Sequence, residues 1–542
     1  MNVVIRAGTS IGSADADDDD EFLFEGFVHL PQFADILDVT KNKSILIGRT
    51  GSGKTALIRF IERKSDNVIR LDPRKIAMDH IANSNILSFL ESLKVDLHLF
   101  YELLWKHVIR VALIKKIFNV TSEQAEATFF DQLRASLGGK RNKIECLEYL
   151  RSWGKSFWID ADVQVREIVS KIEDQIKASV EAGIPNFKFS ASATVSADET
   201  QKKEITQRAQ KIVNDIQIGK LNQVIDLLAD TFQENRQRKY FVCIDNLDER
   251  WIDVSIQFKL IRALIEIIRS FRRVQQLKIV IALRSDVYER ALTETRDLGF
   301  QKEKYDSYVT TIRWNEADLT NLVNERLNIL YKNQYSSRTK VSFDDVFAPT
   351  TRNERTINYI ITRTLFRPRD VIAFVNQCFE SAQGQTSIPP KTIQLAEQQY
   401  SRRRGDALIE EWQSVHPELD TLIDFLKGRG QKISISEIAV REVIEQIVTN
   451  ILMKKYDFDD DLIGFCNNYL ASNNMGLVNQ IATETFSILY KVGAISLKLM
   501  KQQPYQFSYK DDAVIPRNQI AIEGEARISP MLWRALGITP NL

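Results

Sequence analysis

Short apolar runs alternate with helical patterns in two parts of the chain. Runs of strand length occur at residues 44–48, 68–72, 239–245, 278–284 and 308–314. The third and fourth runs are almost continuously apolar, as expected for parallel strands that are covered on both faces. Segments of helical period lie between them, for example residues 256–271. The alternation predicts a doubly wound α/β core with a parallel sheet.

Helical periodicity dominates a long stretch in the middle of the chain. Apolar side chains recur at helical spacing over residues 165–176 and 205–228. We expect residues 80–234 to be a helical insertion, either a packed subdomain or a protruding coiled-coil arm. Within it, residues 186–198 alternate at period two and are typical of a hairpin or a loop.

The chain after Trp314 is expected to be mainly helical. Asn315 is placed to cap one helix, and Pro368 to occupy the first turn of another. The charged tract 401–406, SRRRGD, indicates a boundary. Two strands are expected near the end, at 494–499 and 505–510, joined by a short turn. Helices followed by a hairpin resemble a winged helix-turn-helix.

These patterns divide the chain into five parts. They are a flexible acidic N-terminal arm at 1–21, an α/β core at 22–79 and 235–314, the helical insertion at 80–234, a helical lid at 315–405 and a mostly helical, winged-helix-like domain at 406–542.

The composition is that of a globular protein and argues against several classes of function. Apolar residues make up 44% of the 542 positions and charged residues 27%. The 73 Lys and Arg balance the 72 Asp and Glu, so no global charge attracts nucleic acid or an anionic membrane. No apolar run approaches the roughly 18 residues of a membrane helix, and the N-terminus lacks a secretory pattern. The four cysteines and five histidines show no disulfide or metal-ligand spacing, which favours a reducing cytoplasm.

A glycine-rich segment, GRTGSGKT at residues 48–55, matches the phosphate-binding pattern GxxxxGK[ST]. Glycines let backbone N–H groups turn toward phosphate oxygens, and the N-terminus of the following helix adds positive partial charge. Lys54 supplies a mobile charge to the β- and γ-phosphates, and the Thr55 hydroxyl can bind Mg²⁺. We therefore expect the nucleotide to contact Gly48, Thr50, Gly51, Ser52, Gly53, Lys54, Thr55 and Ala56.

An acidic segment, DNLDE at residues 245–249, follows the apolar run of the third strand. Its first carboxylate is expected at the carboxyl edge of the sheet, where ligands bind in open α/β folds. We expect Asp245 to hold Mg²⁺ directly or through water. Asn246 stands where many ATPases with this type of glycine-rich loop carry a glutamate, and the amide of asparagine is a poor base. Asp248 and Glu249 are the better candidates to orient an attacking water.

Several arginines are candidates to complete the site. Arg284 ends the strand at 278–284, where a guanidinium can contact a γ-phosphate or an acidic neighbour. Arg367 and Arg369, in FRPRDVIAF, open a helix of the lid and can reach a nucleotide from there. Arg290 and Arg296 lie between two core strands and are candidates for an arginine finger that projects into a neighbouring subunit.

The loop GRTGSGKT, the segment DNLDE and the arginine-ended strand IALRSD together resemble the STAND and KAP-type NTPases, relatives of AAA+ and origin-recognition ATPases. The lid segment FRPRDVIAFVNQC is similar to that of KAP-like and origin-recognition proteins. The resemblance covers residues 22–75 and 235–405, and it departs from the STAND pattern at Asn246, where glycine is usual.

This resemblance implies a P-loop NTPase core that binds ATP and Mg²⁺ and hydrolyses ATP slowly. The catalytic residues would be Lys54, Asp245, Asp248, Glu249 and Arg284, with Thr55 and Asp245 at the metal. The chain also resembles stand-alone bacterial or prophage-encoded ATPases, which are often associated with phage defence.

Three functions remain open. The first is an ATP-driven switch that changes oligomeric state or contact with an effector protein. The second is a nucleic-acid-handling ATPase that uses the C-terminal domain. Against it, residues 406–542 carry 13 Lys and Arg but 18 Asp and Glu, although residues 351–405 carry 9 against 4. The third is a scaffold that binds nucleotide without turning it over, an alternative that Asn246 leaves open.

Overall fold

The computed structural model describes residues 4–74, 98–118, 144–146, 148–150, 228, 237–249, 252, 254–295, 301–335, 340–454, 456, 460–472, 474, 476–500, 502–510 and 515–538. Most of the insertion expected at 80–234 lies outside them, including the segments 165–176 and 186–198 and all of 205–228 except Leu228. The chain divides into a sheet unit, Pro31–Gly48 with Leu57–Ile312, and a helical unit, Met1–Leu30 with Arg49–Ala56 and Arg313–Leu542.

Five parallel strands form the sheet of the sheet unit, as the apolar runs predict. They are β1 (Ile45–Gly48), β2 (Val68–Leu71), β3 (Tyr240–Ile244), β4 (Leu277–Arg284) and β5 (Val309–Thr311). Their order is β2-β3-β4-β1-β5, and each neighbouring pair is parallel. Every residue of β1 and β3 is buried, which explains their unbroken apolar sequence. The expectation of an α/β fold with a parallel sheet is confirmed.

Helices join or flank these strands at Pro31–Leu37, Lys54–Lys64, His98–Ile117, Val254–Phe271, Ser285–Thr293 and Glu303–Asp306. The helix Val254–Phe271 packs against His98–Ile117, where the buried Trp105 indole donates to the Leu260 carbonyl at 2.9 Å. Lys278 of β4 is buried, and its ammonium donates to three carbonyls at or just beyond the end of helix Pro31–Leu37. Burial lowers the pKa of Lys278 to about 8.

The helical unit contains helices at Asp20–Leu23, Glu316–Tyr335, Phe343–Val346, Thr356–Thr362, Pro368–Ser381, Pro390–Trp412, Leu419–Phe425, Ile435–Ile438, Arg441–Leu452, Asp461–Ser472 and Gly476–Val492. The Asn315 side chain accepts from the Asp318 N–H at 2.9 Å, which confirms the predicted cap. Pro368 occupies the first turn of its helix, also as predicted.

The boundary expected at 401–406 is wrong, because helix Pro390–Trp412 runs through this tract. Only part of the tract is solvated. Ser401, Arg404 and Gly405 are buried, and the Ser401 hydroxyl donates to the Met531 carbonyl at 2.6 Å. This run of charged residues therefore contributes to an exposed face of the helix and does not form a domain boundary.

A second, antiparallel sheet lies near the end of the chain. Its strands are β8 (Lys432–Ser434), β9 (Ile495–Lys498) and β10 (Glu525–Ile528), in the order β8-β10-β9. Strand β9 confirms the prediction at 494–499. The prediction at 505–510 is wrong, since only Gln506 bridges to Leu497 and β10 is the true partner. A short hairpin joins β6 (Thr350–Thr351) to β7 (Glu354–Arg355).

The N-terminal segment is packed, which corrects the expectation of a flexible arm at 1–21. Ile5 and Ile11 are fully buried in the helical unit. The Ile11 N–H donates to Asn376 Oδ1 at 2.8 Å, and Asp19 forms a buried ion pair with Arg326. Two buried isoleucines, a hydrogen bond and a buried ion pair therefore attach this segment to the helical unit.

Within the part of the chain that the structure describes, no helix combines the length and the apolar character needed to cross a membrane.

Candidate functional site

The glycine-rich loop connects a parallel strand to a helix. β1 ends at Gly48, and the helix Lys54–Lys64 begins at the lysine of the motif. Gly51 and Gly53 have φ angles of 72° and 101°, a region that side-chain-bearing residues rarely occupy. The glycines are therefore required by the backbone path and not only by the motif.

Two hydroxyls of this loop are buried without a hydrogen-bond partner among the described residues: Thr50 Oγ1 and Ser52 Oγ. Other polar groups of the loop have internal partners. The Lys54 ammonium donates to the Arg49 carbonyl at 3.1 Å, and the Trp314 indole donates to the Ser52 carbonyl at 2.8 Å. Burying a hydroxyl without a partner costs free energy. The loop thus holds two polar groups suited to an oxygen-rich ligand.

The start of helix Pro368–Ser381 packs against the glycine-rich loop within the helical unit. A Cβ atom placed on Gly51 would lie 2.6 Å from the Arg369 Cβ, so only glycine permits this approach. The Arg369 N–H donates to the Gly51 carbonyl at 3.4 Å. The Arg367 guanidinium donates to the Thr50 carbonyl at 2.6 Å. The structure therefore brings both predicted lid arginines to the loop.

These two arginines have different surroundings. Arg367 is 1% exposed and is paired with Asp370 at 2.8 Å and Glu411 at 3.0 Å. Burial opposes its charge, yet the two carboxylates raise the pKa of Arg367. Arg369 has no ion pair with any described residue. Its Nε donates to the Ala14 carbonyl at 3.4 Å, and burial together with Arg367 lowers the pKa of Arg369. Arg367 supports the loop, and Arg369 lies beside it.

A cavity of about 90 Å³ lies beside the loop, wholly within the helical unit. Lys54, Thr55 and Ala56 line one side, Arg369 lines another, and residues 13–16 with Asp19 close it. Burial raises the pKa of Asp19 even though Arg326 pairs with it. The cavity combines the predicted phosphate-binding cations with a cover of aspartates from the N-terminal segment.

In the sheet unit, the DNLDE segment begins directly after β3. Asp245 is 5% exposed, and its Oδ1 accepts from the Asn246 N–H at 2.9 Å. Asn246 has a φ of 59°, in the left-handed region where glycine and asparagine are favoured. The buried Gln257 amide donates to the carbonyls of Leu247 and Glu249 at 2.6 and 2.9 Å. Asn246 is thus explained by the turn it forms.

Arg284 lies at the same edge of the sheet. It is the register partner of Gly48, the last residue of β1. Its guanidinium pairs with Asp286 at 2.8 Å and lies 3.8 Å from Asp248. The sheet unit therefore joins the start of the glycine-rich loop, Arg284 and Asp248, and it adds Asp286, which the sequence did not single out.

Glu249 points to a different neighbour. Its carboxylate forms an ion pair with Arg74. Burial raises the pKa of Glu249, and Arg74 opposes that rise. Asp248 and Glu249 therefore have different basic neighbours, Arg284 for Asp248 and Arg74 for Glu249.

The finger candidates Arg290 and Arg296 gain no support from the geometry. Arg290 pairs with Glu294 at 2.5 Å and its guanidinium lies 4.6 Å from the Phe258 ring centroid. Arg296 lies outside the described residues.

Sequence reasoning missed the role of Arg49, a variable position of the motif. Its guanidinium donates to the Val492 carbonyl at 2.5 Å and to the Lys491 carbonyl at 3.3 Å. These carbonyls end the helix Gly476–Val492, where a cation is favoured by the helix dipole. Arg49 attaches the loop to the C-terminal region, and no local signal in the motif could have shown a partner more than 400 positions away.

Comparison with known families gives a match in the helical unit. A family model described as a FunZ-associated C-terminal helical domain matches residues 317–409. The matched residues begin in helix Glu316–Tyr335 and end in helix Pro390–Trp412, so they correspond closely to the predicted lid at 315–405. No curated protein matches the sequence. The match describes a helical region and assigns no activity to it.

Proposed function

We propose that this protein binds ATP with Mg²⁺ at the glycine-rich loop and hydrolyses it slowly, as a P-loop NTPase of the switch type. The observation that carries the proposal is the loop itself: a glycine-dependent turn between a parallel strand and a helix, with two buried hydroxyls lacking hydrogen-bond partners among the described residues. Such a turn directs N–H groups and a helix N-terminus toward phosphate.

The charges of the side chains around the loop favour a triphosphate. Lys54 is 8% exposed and begins the helix, so its charge acts in a largely desolvated place. Arg369 adds a second cation in the cavity beside it. In this proposal Lys54 and the loop amides bind phosphate oxygens, and Arg369 contacts the ligand from the lid.

The acidic side chains at the carboxyl edge of the sheet are suited to bind a metal ion and to accept a proton. Asp245 would bind Mg²⁺ directly or through water. When bound, the metal would neutralise charge on the phosphates. Glu249 would accept the proton of the attacking water, and Arg284 would keep Asp248 in place.

The size of the cavity adds a condition. At about 90 Å³ it is smaller than the roughly 300–1,000 Å³ of typical ligand pockets. Residues 13–19 must therefore move for a whole nucleotide to enter. This movement is the conformational change that the proposed switch would use, with release of the Asp19–Arg326 pair as its first step.

The test compares Lys54→Ala with Lys64→Ala, a lysine at the other end of the same helix. Calorimetry should show ATP binding to the wild type and to Lys64→Ala, with at least about tenfold weaker binding by Lys54→Ala. Phosphate release should be lost in Glu249→Gln while ATP binding remains. No ATP binding by the wild type, or equal binding by both lysine variants, would refute the proposal. Binding without any phosphate release would instead favour the scaffold function.

A further inference from the structure

A second and larger cavity, about 480 Å³ in volume, lies elsewhere in the helical unit. Its walls come from the β6–β7 hairpin, the turn before helix Pro368–Ser381 and the region around β10. The volume falls within the roughly 300–1,000 Å³ that small-molecule sites occupy. The glycine-rich loop does not line it.

The cavity has an excess of positive charge. Arg352, Arg363, Lys510 and Arg527 line it, against one carboxylate, Glu354. Arg363 is neutralised by Glu397 at 2.8 Å and Glu354 at 3.2 Å. The other three cations form no ion pair among the described residues, and Arg527 Nε is buried without a hydrogen-bond partner there. Three cations that have no ion pair in the described part of the chain surround one space, which favours an anionic ligand.

The same cavity has aromatic walls. Phe366, Phe507, Tyr509 and Trp533 contribute to the lining. The Lys510 ammonium lies 4.1 Å from the Phe366 ring centroid, and the Arg527 guanidinium lies 5.6 Å from the Trp533 ring centroid. Aromatic rings beside cations are the surfaces on which nucleic-acid bases stack while their phosphates are neutralised.

The backbone is strained at one residue of the cavity wall. Phe366 has a φ of 51°, which is uncommon for a side-chain-bearing residue and is enriched at functional sites. Arg352 and Asn353 also have positive φ, 50° and 63°, as the two-residue turn of the β6–β7 hairpin requires. For a bulky residue such as Phe366, the conformation is maintained only because the surrounding contacts require it. One of these contacts is the near-parallel ring of Tyr509, 6.2 Å away between centroids.

We propose that this cavity binds a nucleotide, a phosphorylated ligand with an aromatic base, at a site separate from the glycine-rich loop. The base stacks on the aromatic wall, and the phosphate is held by Arg352, Lys510 and Arg527. The ligand is a free nucleotide, because a space of about 480 Å³ is of the size that small-molecule sites occupy.

Two residues that line this cavity are neighbours of residues that belong to or contact the glycine-rich loop. Phe366 lines the cavity, and the next residue, Arg367, donates to the Thr50 carbonyl at 2.6 Å. Tyr509 lines the cavity as well, and the Arg49 guanidinium lies 6.0 Å from its ring centroid. Occupancy of the cavity can therefore be transmitted to the loop through two neighbouring contacts.

The experiment uses the full chain with Lys54→Ala, so that phosphate binding by the loop is weakened and the cavity can be measured beside it. Calorimetry with AMP should give one site per chain. Adding Lys510→Gln and Arg527→Gln should weaken AMP binding by about tenfold or more, as expected for loss of charge-assisted contacts. Lys427→Gln, an exposed lysine of the same unit, is the matched control and should change nothing. Thermal melting confirms that each variant is folded.

Four results would overturn the inference. They are no AMP binding to the Lys54→Ala protein, binding that is unaffected by the Lys510 and Arg527 changes, inorganic phosphate that binds as tightly as AMP, and a 12-nucleotide single strand that binds where AMP does not. Failure of ATP to bind the loop would refute the proposed function and leave this inference standing, because AMP binding to the cavity is measured without Lys54.

Discussion

Two buried groups of charged side chains in the helical unit are built in opposite ways. The Arg367 cluster alternates signs: Arg367 and Arg404 surround Asp370, and Glu411 completes it. The Glu418 cluster places two acids together, since His416 Nδ1 lies 3.8 Å from Glu418 and 3.2 Å from Asp460. Asp370 and Glu418 are both 0% exposed, so burial is matched and the difference lies in the neighbours.

The neighbours decide which ionisation state is stable. Burial alone would raise the pKa of Asp370, but Arg367 and Arg404 hold it below its usual value. Burial and the nearby Asp460 raise the pKa of Glu418 to about 9. The buried Asp370, near the glycine-rich loop, is thus kept ionised, whereas the buried Glu418, in the C-terminal region, is kept protonated.

The largest effect is expected for Asp370→Ala. This change leaves Arg367 and Arg404 buried without their shared partner and removes the acceptor of the Leu365 N–H. We expect a loss of about 3–5 kcal/mol in the free energy of unfolding, the range for breaking a buried pair. Urea denaturation at pH 7 measures it. A loss below about 1 kcal/mol would show that the alternating charges contribute little to stability.

A smaller, pH-dependent effect is expected for Glu418→Gln. Because the folded-state pKa of Glu418 is raised, its carboxyl is accommodated at low pH and becomes a growing penalty as pH rises from about 4.5 to about 9. The free energy of unfolding of the variant should equal that of the wild type near pH 5 and exceed it by about 1–3 kcal/mol at pH 8. Paired urea denaturations at the two values test this, with the exposed Glu410→Gln as control. An equal difference at both pH values would contradict the expected titration.

The smallest effect is expected for Asp424→Ala, the exposed counterpart of Asp370→Ala. Asp424 pairs with Lys427 at 2.6 Å, a shorter distance than any in the Arg367 cluster, but the two side chains are 64% and 57% exposed. Exposed pairs contribute about 0–1 kcal/mol, so the same urea measurement should show almost no change. A cost close to that of Asp370→Ala would mean that distance, and not burial, sets the energy.

Local pattern was sufficient for much of this molecule. All five parallel strands, the Asn315 cap, the Pro368 helix start and the glycine-rich loop follow from residues that are neighbours in sequence. Strand β10 was missed because its four residues give too short an alternation to stand out. The tract 401–406 was misread because a charge run shows polarity but not which face of a helix is buried.

The candidate site shows the same difference between features that local sequence predicts and features that depend on tertiary contacts. The sequence by itself determined that a loop of this glycine pattern follows a buried strand and that acids follow the third strand, because backbone conformation and burial leave periodic, local patterns. Only the tertiary structure decided that Arg49 would hold the end of a distant helix, that Asp19 would pair with Arg326, and that Asn246 would adopt a left-handed turn. Ion pairs and cavity walls join residues hundreds of positions apart, and their energies depend on burial and neighbours that no single segment specifies.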